Sequence, residues 1–184
     1  MAGVLLAPGA GSNRDNPTLR AIEAGVAPVP VRRMDFPYRK AGRKAPDRAP
    51  KLVASVVEEA TGFAASLGVG TERLVLGGRS MGGRMCSMAV AEGLPAAGLV
   101  LVSYPLHPPG RPEQRRDAHL PSLEVPCLFV SGTRDTFGTP EELEAATATI
   151  PGPVSHVWVE GGRHELRGAD PVVVAAVRDW LAPA

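Results

Sequence analysis

The sequence predicts an α/β fold in which a doubly wound, mostly parallel sheet of six strands is flanked by helices. Short apolar runs alternate along the 184 residues with longer segments whose apolar residues recur at helical spacing. The run over residues 98–103 is continuously apolar, as expected of a strand that helices cover on both faces. Because the crossover helices that join such strands are right-handed, we expect neighbouring strands to be parallel.

The first elements are predicted from apolar runs and capping signals. A buried strand is expected over residues 3–7. Asn16 then caps a helix that begins at Pro17 and stops at Gly25. The second strand is predicted over residues 26–31, and the two prolines within it indicate a position at the edge of the sheet.

A long basic loop is predicted after the second strand. Residues 32–51 carry eight Arg or Lys against Asp35 and Asp47, a local charge of +6 in a chain whose net charge is +1. Such a segment can attract an anionic substrate or a nucleic acid, but it is more often a solvated surface. Its stretch 36–38 could fold over a pocket as a partial lid.

The remaining elements show clear periodicity. A helix after residue 51 stops at Gly68 and presents on one face the residues Leu52, Val53, Val56, Val57, Ala60, Phe63, Ala64 and Leu67. Further strands are predicted over residues 73–77, 98–103, 125–131 and 154–159. Further helices are predicted over 81–92, from Pro140 with Thr139 and Glu142 as a capping box, and from Asp170 to near Leu181.

The third predicted strand runs into the sequence Gly78-Arg79-Ser80-Met81-Gly82. This pattern is typical of a serine held on a sharp turn between a strand and a helix. A backbone bent this tightly leaves no room for side chains at positions 78 and 82. The turn lifts the serine hydroxyl clear of the sheet, and Arg79 is expected to bond a carboxylate rather than a substrate.

Two further polar residues follow later strands. Asp135 comes four residues after the fifth strand, and His164 comes just after the sixth. Because the carboxyl ends of parallel strands meet at one edge of the sheet, we expect both residues to lie near Ser80. The chain order serine, acid, histidine is that of α/β-hydrolases, so we predict Ser80, Asp135 and His164 to be catalytic.

Several motifs together resemble small α/β-hydrolases of the dienelactone-hydrolase-like group. They are the serine turn, the loop 8–11 (Pro-Gly-Ala-Gly), the run 132–138 (Gly-Thr-Arg-Asp-x-Phe-Gly), the run 161–164 (Gly-Gly-Arg-His) and the run 104–110. The resemblance spans nearly the whole chain. It implies one hydrolase domain over residues 1–184, without a large lid, and the strand order second, first, third, fourth, fifth, sixth. Dienelactone hydrolases carry a cysteine where this chain has Ser80.

The resemblance also implies a mechanism of acyl transfer to water. His164 would take the proton of Ser80, and the backbone N–H groups of Met81 and Ala10 would form the oxyanion hole. Gly9, Tyr38 and His107 are candidate substrate contacts. The predicted function is a serine hydrolase, similar to an esterase, that cleaves a small ester, thioester or lactone through an acyl-enzyme.

Two other functions stay open. Gly9 and Gly11 after the first strand are also typical of dinucleotide binding, although Arg14 takes the third glycine position of that motif. A hydrolase fold can also act as a scaffold or binding module with little or no turnover. The presence of all three residue types of the triad favours the enzyme.

The composition of the chain limits the class of protein to which it can belong. The chain is 44% hydrophobic and 21% charged, as is usual for globular proteins. Its two cysteines, Cys86 and Cys127, are predicted to be buried and have no metal-ligand spacing. No run reaches about 18 apolar residues, so we expect no membrane span, no signal peptide and a cytoplasmic location. We expect no metal, organic cofactor or nucleic acid, a small-molecule acyl substrate, and a monomer or homodimer.

Overall fold

The computed structural model describes residues 1–182 and confirms the predicted fold class. The strands are β1 (Gly3–Ala7), β2 (Val31–Arg33), β3 (Leu74–Arg79), β4 (Gly98–Val102), β5 (Cys127–Gly132) and β6 (Val154–Val159). The helices are α1 (Pro17–Gly25), α2 (Pro37–Lys40), α3 (Ala49–Ser66), α4 (Met81–Ala91), α5 (Pro140–Thr147) and α6 (Asp170–Leu181). Residues 183 and 184 of the predicted domain lie outside the described range.

Within residues 1–182 the strands form one six-stranded sheet in the order β2-β1-β3-β4-β5-β6, which is the predicted order. Every neighbouring pair is parallel. The four interior strands β1, β3, β4 and β5 are almost fully buried. The carboxyl ends of all the strands therefore meet at one edge of the sheet.

Helices cover both faces of the sheet. Val4 and Leu6 of β1 pack on the face that α1 and α6 cover, together with Ile22 and Val173. Leu5 packs on the opposite face, which α3, α4 and α5 cover. This alternation follows from the two-residue period of a strand. It explains why the strands read as continuous apolar runs in the sequence.

The second strand lies at the edge of the sheet, as its prolines predict, but its predicted bounds are wrong. Strand β2 begins at Val31, where the prediction ends. Pro28 and Pro30 lack the N–H that a ladder requires, and residues 26–29 form a turn closed by the bond from Val29 N to Val26 O at 3.0 Å. Pairing with β1 therefore begins only after the second proline.

The basic segment 32–51 is not a long loop. It contains the end of β2, all of α2 and the start of α3. Many of its charges are paired with acidic residues, in the ion pairs Arg33 with Asp15 and Glu23, Lys40 with Glu59, and Arg43 and Lys51 with Asp47. Phe36 and Tyr38 are fully buried in the core and form no lid.

The other helices begin close to their capping signals. Asn16 accepts from the amides of Thr18 and Leu19 at the start of α1. Thr139 and Glu142 form the predicted capping box of α5. The predicted apolar face of α3 is buried except at Val57, which is 37% exposed, and at Leu67, which lies just after the helix and is partly buried. Cys86 and Cys127 are buried and unpaired, as predicted.

The helices of residues 1–182 do not meet the requirements for crossing a membrane. None of them combines the length and the apolar character that crossing a bilayer requires.

Candidate active site

Ser80 lies on the turn between β3 and α4, where its backbone adopts φ 51° and ψ −121°. A positive φ is strained for a residue with a side chain, and the surrounding packing must hold it. The N–H of Ser80 donates to the carbonyl of Val102, at the end of β4, at 2.8 Å. A Cβ at either Gly78 or Gly82 would overlap the carbonyl oxygen of Ala7. The two glycines therefore let β1 approach the turn.

The structure brings the three predicted catalytic side chains together in one hydrogen-bonded chain. Ser80 Oγ lies 2.8 Å from Nε2 of His164, and Nδ1 of His164 lies 2.8 Å from Oδ2 of Asp135. Asp135 is 3% exposed and His164 is 9% exposed. Because a carboxylate only accepts, Nδ1 carries the proton of a neutral imidazole, which leaves Nε2 to accept from the Ser80 hydroxyl.

The loops that carry Asp135 and His164 are tied to each other by backbone bonds. Thr133 N donates to Val159 O at 3.1 Å, and Arg134 N donates to Gly162 O at 2.8 Å. These bonds continue the pairing of β5 with β6 beyond the ends of both strands. A side chain at Gly132 would overlap the carbonyl of Gly162, so the close approach needs glycine there.

Two side chains hold His164 in place. The ring of Phe137 stacks on the imidazole with centroids 3.9 Å apart, and Phe137 N donates to Asp135 Oδ1 at 2.8 Å. The guanidinium of Arg79 donates to the carbonyl of His164 at 2.8 Å. The expectation that Arg79 bonds a carboxylate is therefore wrong, although Glu165 lies near enough to act on its charge. The sequence analysis gave Phe137 no role, because a stacking contact leaves no spacing pattern.

The predicted oxyanion hole lies beside Ser80. The amide of Met81 is the first of α4, where N–H groups have no intrahelical partner. Gly9 lies against the turn, since a Cβ on it would sit 3.6 Å from Cβ of Ser80. The carbonyl of Ala10 accepts from the hydroxyl of Tyr38 at 2.7 Å. This bond therefore anchors the loop that carries the Ala10 amide to the hydrophobic core.

Tyr38 and His107 do not line the cleft around Ser80, so their prediction as substrate contacts is wrong. Tyr38 is fully buried, and its hydroxyl faces the Ala10 loop instead. His107 is 5% exposed and bonds Pro108 O through Nδ1 at 2.9 Å and Glu142 through Nε2 at 3.2 Å. The backbone N–H of His107 donates to the carbonyl of Phe137 at 3.0 Å, so His107 connects the loop after β4 to the residue that stacks on His164.

The cleft that contains Ser80 has a volume of about 620 Å³. Besides Ser80, the predicted site residues that line this cleft are Gly9, Ala10, Met81 and His164. The sequence analysis missed the rest of its wall, which includes Pro46, Asp47, Leu52, Arg84, Met85, Pro105, Arg116, Phe137 and Glu165. These residues come from the start of α3 and the segment before it, from α4, and from the connections that follow β4, β5 and β6. Only Pro105 and Phe137 belong to motifs that the sequence analysis singled out.

The structure disfavours dinucleotide binding at the loop 9–11. A pyrophosphate site needs the loop to lead directly into a helix N-terminus, whereas α1 begins only at Pro17. Among residues 1–182 no group of three or more His, Cys, Asp or Glu side chains is arranged to hold a metal ion.

The strand order and the place of Ser80 on the turn after β3 are those of the α/β-hydrolase fold. The chain belongs to the family described as the alpha/beta hydrolase domain, whose sequence model matches residues 1–171.

Solved structures share this fold. A serine hydrolase homologue from Coxiella burnetii matches with a TM-score of 0.80 and 16% identity, over 99% of this chain and 86% of its own. A dienelactone hydrolase from Anabaena variabilis matches with a TM-score of 0.75 and 18% identity, over 97% and 85%. The RedJ thioesterase of Streptomyces coelicolor matches with a TM-score of 0.73 and 18% identity, over 97% and 89%.

The packing at Ser80 predicts unequal effects of two glycine substitutions in helices. Gly82→Ala places a methyl group against the Ala7 carbonyl, and because backbone atoms cannot give way we expect a loss of about 3 kcal/mol in the free energy of unfolding. Gly62→Ala in α3 meets only Arg32 at 3.8 Å and should gain about 0.5–1 kcal/mol. Urea unfolding measures both. Equal stabilities for the two variants would contradict the proposed packing.

Proposed function

We propose that this protein is a serine hydrolase that cleaves a small ester, thioester or lactone. The observation that carries the proposal is the continuous chain of hydrogen bonds from Ser80 through His164 to Asp135, at the wall of a cleft. A serine is a weak nucleophile unless a base within hydrogen-bonding distance takes its proton. Here that base is itself oriented by a buried carboxylate.

The first half of the proposed reaction acylates Ser80. The hydroxyl proton passes to Nε2 of His164 while Oγ forms a bond to the acyl carbon, and the carbonyl electron pair moves to oxygen. Asp135 stabilises the resulting imidazolium. The oxyanion then re-forms the carbonyl as the bond from carbon to the leaving oxygen or sulfur breaks, and the proton on Nε2 passes to that atom. An ester or thioester releases an alcohol or thiol, whereas the hydroxyl freed from a lactone stays attached to the acyl group.

The second half releases the acyl group. A water gives a proton to Nε2 of His164 and attacks the ester carbon, and the bond from carbon to Oγ then breaks. Ser80 recovers its proton from His164, and a carboxylic acid is the second product. Each step balances with water as the only co-substrate, so the mechanism needs neither a metal nor an organic cofactor.

Backbone amides supply the charge stabilisation in this mechanism. The N–H of Met81 and the N–H of Ala10 are proposed to donate to the oxyanion that forms in each half. Removal of one donor typically costs about 100- to 1,000-fold in rate. The bond from Tyr38 to the Ala10 carbonyl therefore becomes a positioning contact for the reaction.

Two features bear on the substrate. The dienelactone hydrolase and the thioesterase that share the fold are named for lactone and thioester chemistry, which a serine acyl-enzyme can also perform. The connection between β4 and β5 covers residues 103–126, but its Tyr104 and Leu120 are buried in the core, so it offers no large lid. We therefore propose a small acyl group that enters an open cleft.

The nucleophile is tested by labelling with a fluorophosphonate probe and by hydrolysis of p-nitrophenyl acetate and butyrate. Ser80→Ala should lose labelling completely and lose turnover by at least about 1,000-fold, because no other group can form the acyl-enzyme. Ser155→Ala, an exposed serine on β6, is the matched control and should keep both. Absence of labelling in well-folded wild-type protein would reject the proposal and leave the scaffold alternative.

Tyr38→Phe tests the anchoring of the oxyanion loop. Removal of the hydroxyl frees the Ala10 carbonyl, so we expect kcat for p-nitrophenyl butyrate to fall about 10-fold, less than the loss of a whole donor, with KM little changed. Thr147→Val is the control, because it removes a buried side-chain bond on α5, to Nε2 of His156 at 2.9 Å, at a residue that does not line the cleft, and it should keep kcat. If both variants lose only stability and keep kcat, the positioning role of Tyr38 is wrong.

A further inference from the structure

Two arginines of the cleft wall have no acidic partner. Arg84 lies on α4 four residues after Ser80, and Arg116 lies in the connection between β4 and β5. In the described part of the chain neither guanidinium takes part in an ion pair within 4.0 Å or in a side-chain hydrogen bond. Nε of Arg84 is buried and has no hydrogen-bond partner among the described residues.

The groups around Arg84 do not compensate its charge. Burial raises the pKa of Tyr104, so its hydroxyl is neutral. Burial, together with the charge of Arg84, lowers the pKa of His119 to about 4, so this imidazole is also neutral at pH 7. Asp117 lies in the same connection but is engaged by Arg115 at 2.6 Å. Burial lowers the pKa of Arg84, and Arg116 adds a like charge beside it.

Neither acidic residue of the cleft forms an ion pair with Arg84 or Arg116. Asp47 is held between Arg43 at 2.9 Å and Lys51 at 3.3 Å. Glu165 is exposed and lies close to Arg79, whose guanidinium also donates to His164 O. Arg84 and Arg116 are therefore left as two uncompensated positive charges on the same wall.

An uncompensated and partly buried charge is costly, and a bound anion would remove that cost. Guanidinium groups bind carboxylates through paired, charge-assisted hydrogen bonds. Positions four residues apart lie on the same side of a helix, so Arg84 lies one turn beyond Ser80 and lines the same cleft. An anionic group bound there would place the rest of a small molecule next to the nucleophile.

We propose that Arg84 and Arg116 form a carboxylate-binding subsite, and that the substrate is an ester, thioester or lactone that carries a carboxylate a few bonds from the carbonyl attacked by Ser80. This inference rests on the proposed hydrolase function. It restricts that function from small acyl compounds in general to anionic ones.

Two matched pairs of esters test the subsite. Monophenyl adipate and phenyl hexanoate have the same acyl chain length and differ in a carboxylate on the acyl side. The second pair is 4-acetoxybenzoate and its methyl ester, which differ in a carboxylate on the leaving-group side. We expect the charged member of at least one pair to have the higher kcat/KM, by about 10- to 100-fold, as suits hydrogen bonds between charged groups.

Arginine variants assign this preference to the subsite. Arg84→Gln and Arg116→Gln should each reduce the ratio of kcat/KM between the charged and neutral esters by about 10-fold or more. Arg20→Gln, an exposed arginine on α1, removes the same formal charge far from the cleft and should leave the ratio unchanged. Circular dichroism checks folding, and Arg116→Gln remains informative if the more buried Arg84 variant does not fold.

A binding measurement separates this inference from the hydrolase proposal. Calorimetric titration of Ser80→Ala protein with adipate should detect binding that Arg84→Gln, added to the same protein, weakens by about 10-fold or more. Arginine-dependent binding without fluorophosphonate labelling of the wild type would retain the subsite and reject the hydrolase. Efficient hydrolysis of neutral and charged esters alike, with no binding of adipate, would overturn the subsite and retain the hydrolase.

Discussion

The close approach of α4 to the end of β1 is the constraint on which the rest of the site depends. Gly78 and Gly82 lie against the carbonyl of Ala7, and this contact holds Ser80 at a positive φ between them. The same contact places the loop with Gly9 and Ala10 beside the serine. Ser80, the first amide of α4 and the Ala10 loop are thus fixed by one piece of backbone packing, before any side chain contributes.

The residues that could be predicted from the sequence are those whose position follows from backbone topology. In a parallel sheet the loops after β3, β5 and β6 emerge at one edge, so Ser80, Asp135 and His164 had to be neighbours once the strands were recognised. The strand order followed from the resemblance to small hydrolases. The glycines at positions 78 and 82 could be recognised because the turn leaves no room for a side chain at either position.

The parts that could not be predicted depend on side chains that meet from distant segments. Tyr38 follows a strand end and contains a hydroxyl, which suits a substrate contact, yet its ring enters the core and its hydroxyl supports the Ala10 loop. Arg84 belongs to the helix predicted over residues 81–92, but only the folded structure shows that its buried Nε has no hydrogen-bond partner among the described residues. The bounds of β2 were missed because its apolar run continues through prolines that cannot pair.

The bond between Ser80 and His164 joins positions 84 residues apart in the chain. The strained turn can form within the segment that contains β1, β3 and α4. His164 can reach Ser80 only after β5 and β6 have packed beyond β4. Contacts of such long sequence separation form slowly, because the entropy of closing the loop must be lost first. During refolding, helical signal should therefore return before Ser80, the proposed nucleophile, becomes reactive, so that labelling of Ser80 would report the last stage of assembly.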